Sequence, residues 1–271
     1  MTEEVRHDKR MDMSAAIDEH VDDGDTVFIQ WQPFAPMAAI NEIIRQGIED
    51  LTVTCASMTL GGSLLLASGS VSKIITGYMG HELLGLSHPL RRAIEEGEPH
   101  EIEYEEYANY NIQMMNLGGA LGFPYVPMYN LNGTDYLEKG VDTRRVETVE
   151  DPFSGQEVAA LESFNPDVGL VHAQRSDAKG NVQTWGAGIE FGLQASDTVI
   201  ASAETIVEPE VVRRDPDRTI VPNHRVEAVV EEPWGAHPEN VYGHYDIDWL
   251  AKQNIADALK TVEGTEQYLE E

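Results

Sequence analysis

Short apolar runs and helical patterns take turns along the first half of this chain, at a spacing that narrows the fold sharply. Thr26-Val27-Phe28-Ile29 reads as a strand, and the segment from Met37 to Arg45 as a helix ended by Gly47. Leu51 to Cys55 and Val71 to Thr76 are the next strands, with Leu64 to Ala67 in a short helix between them. Ser87-His88-Pro89 opens a further helix, with Ser as N-cap and Pro in the first turn, and Gly97 ends it. Ile102 to Tyr104 gives a fourth strand, Asn109 to Leu121 a helix with Ile112, Met115 and Leu117 inward, and Tyr125 to Met128 another strand. Strands that alternate with helices in this way form βαβ units. An α/β fold is therefore expected, with a mainly parallel sheet flanked by helices.

The second half is looser. Val146 to Val149 and Glu157 to Ala159 flank Phe153-Ser154-Gly155 and read as a hairpin projecting from the sheet near residues 140–165. Val168 to His172, Thr198 to Ser202 and Val226 to Val230 return to strand character, and Trp249 to Leu259 is a closing helix. Pro209 to Pro222 is expected to be a polar loop. No repeat, low-complexity segment or linker divides the 271 residues, so a single domain over 1–271 is expected.

Charge bounds the partners. The chain carries 48 acidic against 18 basic side chains, a formal net charge of −30. Nucleic acid and anionic membranes would repel it, so neither is expected to bind. The acids are spread from Asp18-Glu19 through Glu95 to Glu106, Glu147 to Asp151, Glu204 to Asp217 and Glu263 to Glu271, and lysines are scarce. Such an acidic surface suits high salt, where screening shrinks self-repulsion, and halophilic adaptation is expected. Cys55 is the single cysteine and lies in an apolar strand, so a buried, inert thiol is expected. Met1 to Asp12 is charged and no apolar segment is long enough to span a bilayer; the expected location is cytoplasmic.

Two loops stand out, His172 to Gly186 and Gly235 to Asp246. The second holds two histidines, two tyrosines, two glycines and a proline without helical or strand period, so turn chemistry must set its shape. Loops on rigid scaffolds carry function, and doubly wound sheets bind ligands beyond the carboxyl ends of their strands. That position draws attention to Gln30-Trp31-Gln32-Pro33-Phe34-Ala35-Pro36. It has no glycine for an anion nest, but Gln30 and Gln32 can donate hydrogen bonds. The alternative is a packed loop with Trp31 and Phe34 buried in a subunit contact. Gly61-Gly62-Ser63 opens a helix after the second strand and either holds an anion on helix-terminal amides or is an ordinary turn.

Glu105-Glu106-Tyr107-Ala108-Asn109 offers a carboxylate for attack or proton transfer, or else Asn109 as an N-cap beside solvated glutamates. Leu131 to Asp135 is a turn able to present a hydroxyl or an amide. His172 and His237 read as hydrogen-bonded braces of their loops, as does Asn181 in the turn Asp177 to Asn181. No metal site is expected: Pro238 and Gly243 break any helix that would align His237 with His244. No Gly-x-Ser-x-Gly elbow exists to support a triad of Ser63, His172 and Asp177.

An ordered series of segments carries a family likeness. It runs through Asp23-Gly24-Asp25-Thr26, Pro36-Met37-Ala38, Asp50-Leu51-Thr52, Ser68 to Ile75, Arg91 to Gly97, Glu106 to Asn109, Gly122 to Pro127, Asn132 to Asp135 and the two loops above. Between residues 10 and 250 the chain resembles the alpha subunit of family I coenzyme A transferases, of the glutaconate CoA-transferase kind. The resemblance implies a sugar-isomerase-like α/β fold and a homologous beta subunit in an α2β2 assembly, with the active site between the two. In such enzymes a glutamate of the beta chain attacks the acyl-CoA carbonyl, giving a mixed anhydride and then a glutamyl-CoA thioester. Two easier exchanges replace one difficult transfer.

The Ser-Glu-Asn-Gly type segment that carries this glutamate is missing here, so the resemblance implies no catalytic residue in this chain. Coenzyme A thioester and a carboxylic acid are then substrates, and no cofactor is expected to be permanently bound. Gln30, Gln32, Gly61, Gly62, Ser63, Tyr107 and Asn109 are the residues expected to orient them through neutral donors.

Two departures matter. The glycine-rich turn frequent in the family after the first strand is replaced by Gln30-Trp31-Gln32-Pro33. A related branch, hydrolases that open a ring of an acyl-CoA, carries a functional glutamate near Asn109, and here Glu106 lies three residues earlier. A hydrolase subunit is thus the alternative enzyme. A sugar-phosphate-binding regulator on the same fold is the alternative of another class, and it would need a basic cluster that the chain lacks.

If the scattered acids reflect adaptation to salt, the thermal midpoint should rise steeply between low salt and molar KCl as screening removes repulsion. A midpoint that stays flat over that range contradicts the adaptation.

Overall fold

The computed structural model describes residues 8–31, 33–81, 83–138, 145–186 and 191–270. Local chemistry starts and stops the elements. Asp12 opens α1 (Met13–His20) by accepting from Ala15 N, and the chain enters β1 (Thr26–Ile29). α2 (Met37–Gln46) ends at Gly47, which takes a left-handed φ of 70° and returns its N–H to the carbonyls of Ile43 and Ile44. β2 (Leu51–Cys55), α3 (Leu60–Ala67) and β3 (Val71–Thr76) follow. A small ladder of β4 (Gly80–His81) and β5 (Gly85–Leu86) precedes α4 (His88–Glu95), whose N-cap is Ser87 with its Oγ 3.3 Å from Leu90 N.

β6 (Glu103–Glu106), α5 (Asn109–Leu121), β7 (Tyr125–Met128) and α6 (Asp135–Glu138) complete the first half. Then come β8 (Val146–Glu150), β9 (Glu157–Glu162), β10 (Val168–Asp177), β11 (Val182–Gln183) and α7 (Phe191–Ala195). β12 (Thr198–Val207), α8 (Pro209–Arg214), β13 (Thr219–Val221), β14 (Val226–Glu231), α9 (Trp249–Ala258) and α10 (Val262–Glu270) end the chain.

Seven strands lie parallel in the order β6-β3-β2-β1-β10-β12-β14. The chain winds outward from β1 to β6, then returns and sets β10 against the other edge of β1, with Val27 opposite Val168 and Ile29 opposite Leu170. Winding reverses between β1 and β10. β10 outruns β1, and its residues Arg175 and Ser176 pair antiparallel with β11, which pairs with β13.

Both faces of the sheet are covered, so its inner strands read as unbroken apolar runs. Side chains still alternate. Val27 and Ile29 join the core beneath α1, α2, α3, α4 and α9, while Phe28 between them joins the core beneath α7. A third cluster, with Tyr107, Ile112, Met115, Leu131 and Leu161, lies between α5 and the smaller sheet. Among the described residues no helix is long and apolar enough to cross a membrane.

Two expectations need correction. The strand Tyr125 to Met128 is not part of the main sheet. It pairs antiparallel with β9, and β9 with β8, so the expected hairpin becomes a three-stranded sheet laid over α5. Residues 139–144 of that stretch lie outside the described residues. The segment Pro209 to Pro222 is not one loop, because it holds α8 and β13. Pro209 is pre-organised for a first helical turn, Val212 is buried, and Val221 pairs with Val182.

Close packing at α7 gives a test. Gly192 lies against the fully buried Phe28 ring, which a side chain there would overlap. Helix propensity favours Ala over Gly by roughly 1 kcal/mol, but forcing a methyl into a filled core costs roughly 1–3 kcal/mol. Gly192→Ala should therefore lower the unfolding free energy in chemical denaturation, and a stabilised variant would show that this packing yields.

Candidate functional site

The ladder between β1 and β10 opens at Gln30. Its N–H still donates to Leu170 O at 3.0 Å. The next parallel rung would join His172 N to the backbone carbonyl of Gln30. Instead His172 N donates to the side-chain Oε1 of Gln30 at 2.9 Å. The backbone leaves the sheet here and the carboxamide stands in for it. Gln30 is 1% exposed, and its Nε2 has no hydrogen-bond partner among the described residues. A buried amide left unpaired costs roughly 1–3 kcal/mol, so this donor calls for a partner that the described residues do not supply.

Winding reverses at this seam, the place where parallel sheets bind ligands. A cleft of about 710 Å³ lies beside it, lined by Trp31, Pro33, Asn240, Tyr242, Asp246, Ile247 and Trp249. That volume falls in the range of small-molecule sites, roughly 300–1,000 Å³. Trp31 and Trp249 are half-exposed at its rim, whereas Phe34 is buried within this chain and meets Tyr242 edge-on at 5.4 Å.

Behind the cleft the two notable loops are knitted together. Gln174 on β10 donates from Nε2 to Trp185 O at 2.9 Å and to Tyr242 O at 3.3 Å. His172 sits opposite Ser202 in the ladder, its Nδ1 2.8 Å from Ser202 Oγ and its Nε2 2.9 Å from Glu204 Oε1. Tyr245 donates to the same Oε1 at 2.7 Å, and Trp234 N to Oε2 at 3.1 Å. Burial pushes the Glu204 carboxyl up, but His172, Tyr245 and Trp234 N outweigh it and hold the group below the ordinary range. A carboxylate only accepts, so His172 donates to it from Nε2. Burial and Glu204 push the Tyr245 hydroxyl far above its usual range, so it stays a donor.

The bracing residues bond locally. His237 Nε2 lies 3.1 Å from Asp248 Oδ2, and Asp248 Oδ1 caps α9 at Ala251 N. Asn181 donates to Asp177 Oδ2 at 2.7 Å and accepts from Asn223 N. Among the described residues no three His, Cys, Asp or Glu side chains are grouped to hold a metal ion.

Other sequence candidates lie elsewhere. Gly61, Gly62 and Ser63 form the first turn of α3 and are buried. A side chain on Gly61 would overlap Ile40, one on Gly62 would crowd Met58, and Ser63 donates to Ser87 Oγ at 2.8 Å. Their small size serves close packing of α3, and they do not line the cleft, nor do Tyr107, Asn109 or Gln30, the last of which directly precedes the lining Trp31. Tyr107 is buried, stacked on Tyr136 at 5.9 Å, with its hydroxyl on Glu105 Oε2 at 3.1 Å.

Asn109 is not the N-cap: Ala108 takes that position, and Asn109 is the first residue of α5. Asn109 is exposed, and its carboxamide lies across Gly77 at the end of β3, where any side chain on Gly77 would collide with it. Gln30 and Asn109 thus share the carboxyl edge of the sheet, on which β1 and β3 run about 10 Å apart. Gln32 lies outside the described residues.

Glu105 also departs from expectation, since it is no solvated carboxylate. It lies 2.6 Å from Lys73 Nζ and 3.2 Å from Arg145 Nε. Burial raises it, but Lys73, Arg145 and the Tyr107 hydroxyl together hold it below the usual range. By sequence Glu204 counts among the scattered surface acids, whereas the structure buries it. The signal was present: Ser202 and Glu204 are two polar residues two apart in a buried strand, hence on one face, and a buried carboxylate must find donors.

The profile of the coenzyme A transferase family matches residues 10–232 of this chain. An uncharacterised protein of Archaeoglobus fulgidus is 34% identical over 97% of the chain, which spans 59% of that protein's length. A subunit of 3-oxoadipate CoA-transferase from Pseudomonas knackmussii is 32% identical, covering 86% of this chain and 82% of the relative. The crystal structure of glutaconate coenzyme A-transferase from Acidaminococcus fermentans superposes with a TM-score of 0.88 at 30% identity, over 97% of this chain and 87% of that one.

The Glu105 cluster predicts a pH dependence. Its folded carboxyl titrates below the unfolded value of roughly 4.3, so its contribution is complete above that pH and is lost as pH falls through the lower, folded value. Glu105→Gln should lose roughly 1–3 kcal/mol at pH 7 and show a shallower acid limb than wild type in unfolding measured from pH 7 to 3. Parallel curves would remove Glu105 as a source of acid sensitivity.

Proposed function

This chain belongs to the coenzyme A transferase family, and from that premise we propose that it is the alpha subunit of a heteromeric CoA-transferase that moves CoA between an acyl-CoA and a free carboxylic acid. The observation that carries the reading is the opened seam at Gln30, whose buried amide has no partner among the described residues and which directly precedes Trp31 of the cleft wall, at the point where winding reverses. The buried carboxylates behind the cleft are both engaged, Glu204 by hydrogen bonds on each oxygen and Glu239 by Lys252. That suits a chain which orients substrate while a partner supplies the nucleophilic glutamate.

When a glutamate attacks a thioester, negative charge builds on the carbonyl oxygen, and a fixed neutral donor stabilises it without a proton transfer. In this reading Gln30 Nε2 is that donor, and Asn109 orients the acceptor carboxylate from the same edge of the sheet. Gln32 belongs to the same loop and is proposed with them. The half-exposed rings of Trp31, Tyr242 and Trp249 around the cleft support a surface that the homologous beta subunit covers. An α2β2 assembly, one domain per alpha chain, no resident cofactor, cytoplasmic work and a surface adapted to salt complete the proposal. The net charge of −30 supports the last.

Purification with the beta partner and a CoA-exchange assay between an acyl-CoA and a free acid test this. Exchange should require both chains and the acceptor acid. Gln30→Ala and Asn109→Ala should each slow turnover of the intact complex by about 100-fold, the weight of one oriented donor. Hydrolysis without acceptor acid would favour the hydrolase branch. Exchange by this chain alone would overturn the division of labour.

A further inference from the structure

We infer that Glu204 is a positioning residue for the cleft, setting both of its sides at once; this rests on reading the cleft as the substrate site. On one side Glu204 fixes the His172 ring at Nε2, while Ser202 fixes it at Nδ1. The backbone N–H of the same histidine holds Gln30 Oε1, which leaves the Gln30 Nε2 donor directed by that grip. On the other side Glu204 fastens the loop after β14 through Trp234 N and the Tyr245 hydroxyl. That hydroxyl accepts in turn from Ala236 N at 3.1 Å, so one tyrosine ties the loop twice.

The fastening holds a strained backbone. Trp234 has a φ of +68°, a left-handed conformation unfavourable for a residue with a side chain. Its N–H on Glu204 and its ring stacked 4.4 Å from that of Tyr245 keep it there. The next residue, Gly235, lies so close to the His172 ring that a side chain would overlap it. Strain that several contacts over-determine is typical of pre-organised sites.

Beyond this point the loop meets a second clamp. Glu239 and Lys252 of α9 are both fully buried, with Lys252 Nζ 2.8 and 2.9 Å from the two carboxylate oxygens. Asn240 and Tyr242, which line the cleft, run between the two clamps. The wall is therefore fixed at both ends, and only the Glu204 end also reaches Gln30. Packing alone does not require a carboxylate in this place, since well-packed apolar groups stabilise a core at least as well. What the carboxylate adds is direction, because it takes donors from β10 and from two points of the loop at fixed angles.

Glu204→Gln keeps the shape but turns one acceptor into a donor, so the amide either faces the Trp234 N–H or forces His172 and the Tyr245 hydroxyl to reverse their roles, and the fixed directions are lost. In the assembled complex kcat per active site should fall about 10- to 100-fold, the cost of a misplacement near 1 Å, while KM for the acyl-CoA changes less than about threefold. Tyr245→Phe, which keeps the carboxylate and removes one donor, should show a smaller fall of the same kind. A purely structural role would lower the thermal midpoint and the yield of complex while leaving kcat per titrated site unchanged. Wild-type kcat per site in both variants overturns the positioning role. If Glu204→Gln does not assemble, Tyr245→Phe decides alone. A wild-type complex that exchanges no CoA overturns the substrate-site reading, and this inference with it.

Discussion

Burial of the central strands on both faces is the constraint from which the rest follows. β2, β1, β10 and β12 have cores above and below them, so their backbone groups must be satisfied within the ladder and their side chains are mostly apolar or partnered. Polar chemistry is thereby pushed to the ends of the strands. One seam, between β1 and β10, has no continuous chain connection to close it, and there the ladder parts. The Gln30 side chain replaces its own backbone at the last rung, and this leaves a buried amide with no acceptor among the described residues.

Electrostatics follow the same division between inside and edge. With 18 basic side chains against 48 acids, most surface carboxylates have no cation to meet. Several of the described cations are spent on buried partners: Lys252 on Glu239, and Lys73 with Arg145 on Glu105. Exposed pairs such as Arg91 with Glu95 lie in high dielectric and contribute little. Glu204 differs from all of these. Its charge is met by hydrogen bonds from His172, Tyr245 and Trp234 N, so its surroundings fix directions as well as charge.

The likeness to CoA-transferase subunits fits this geometry. A chain that supplies oriented donors and a shaped wall needs rigidity at the carboxyl edge more than a reactive side chain. The three segments at that edge, 30–36, 172–186 and 232–246, are joined by Gln174, His172 and Glu204. Each of them is far in sequence from the others, and these hydrogen bonds hold them together.

The sequence by itself determined the alternation of strands and helices, because periodicity and caps are local: Ser87 begins α4 and Gly47 ends α2 where their chemistry requires. It also carried the family likeness and the candidacy of Gln30 and Asn109, both at strand or helix ends. Tertiary structure decided what local pattern cannot express. It moved Tyr125 to Met128 into a second sheet, since pairing partners are chosen across long separations. It enclosed Gly61, Gly62 and Ser63, because glycine's small size serves close packing as readily as anion binding, and the sequence reads the same in both cases. It gave Glu204 its surroundings, since a buried carboxylate is defined by donors that arrive from strands and loops 30 or more residues away.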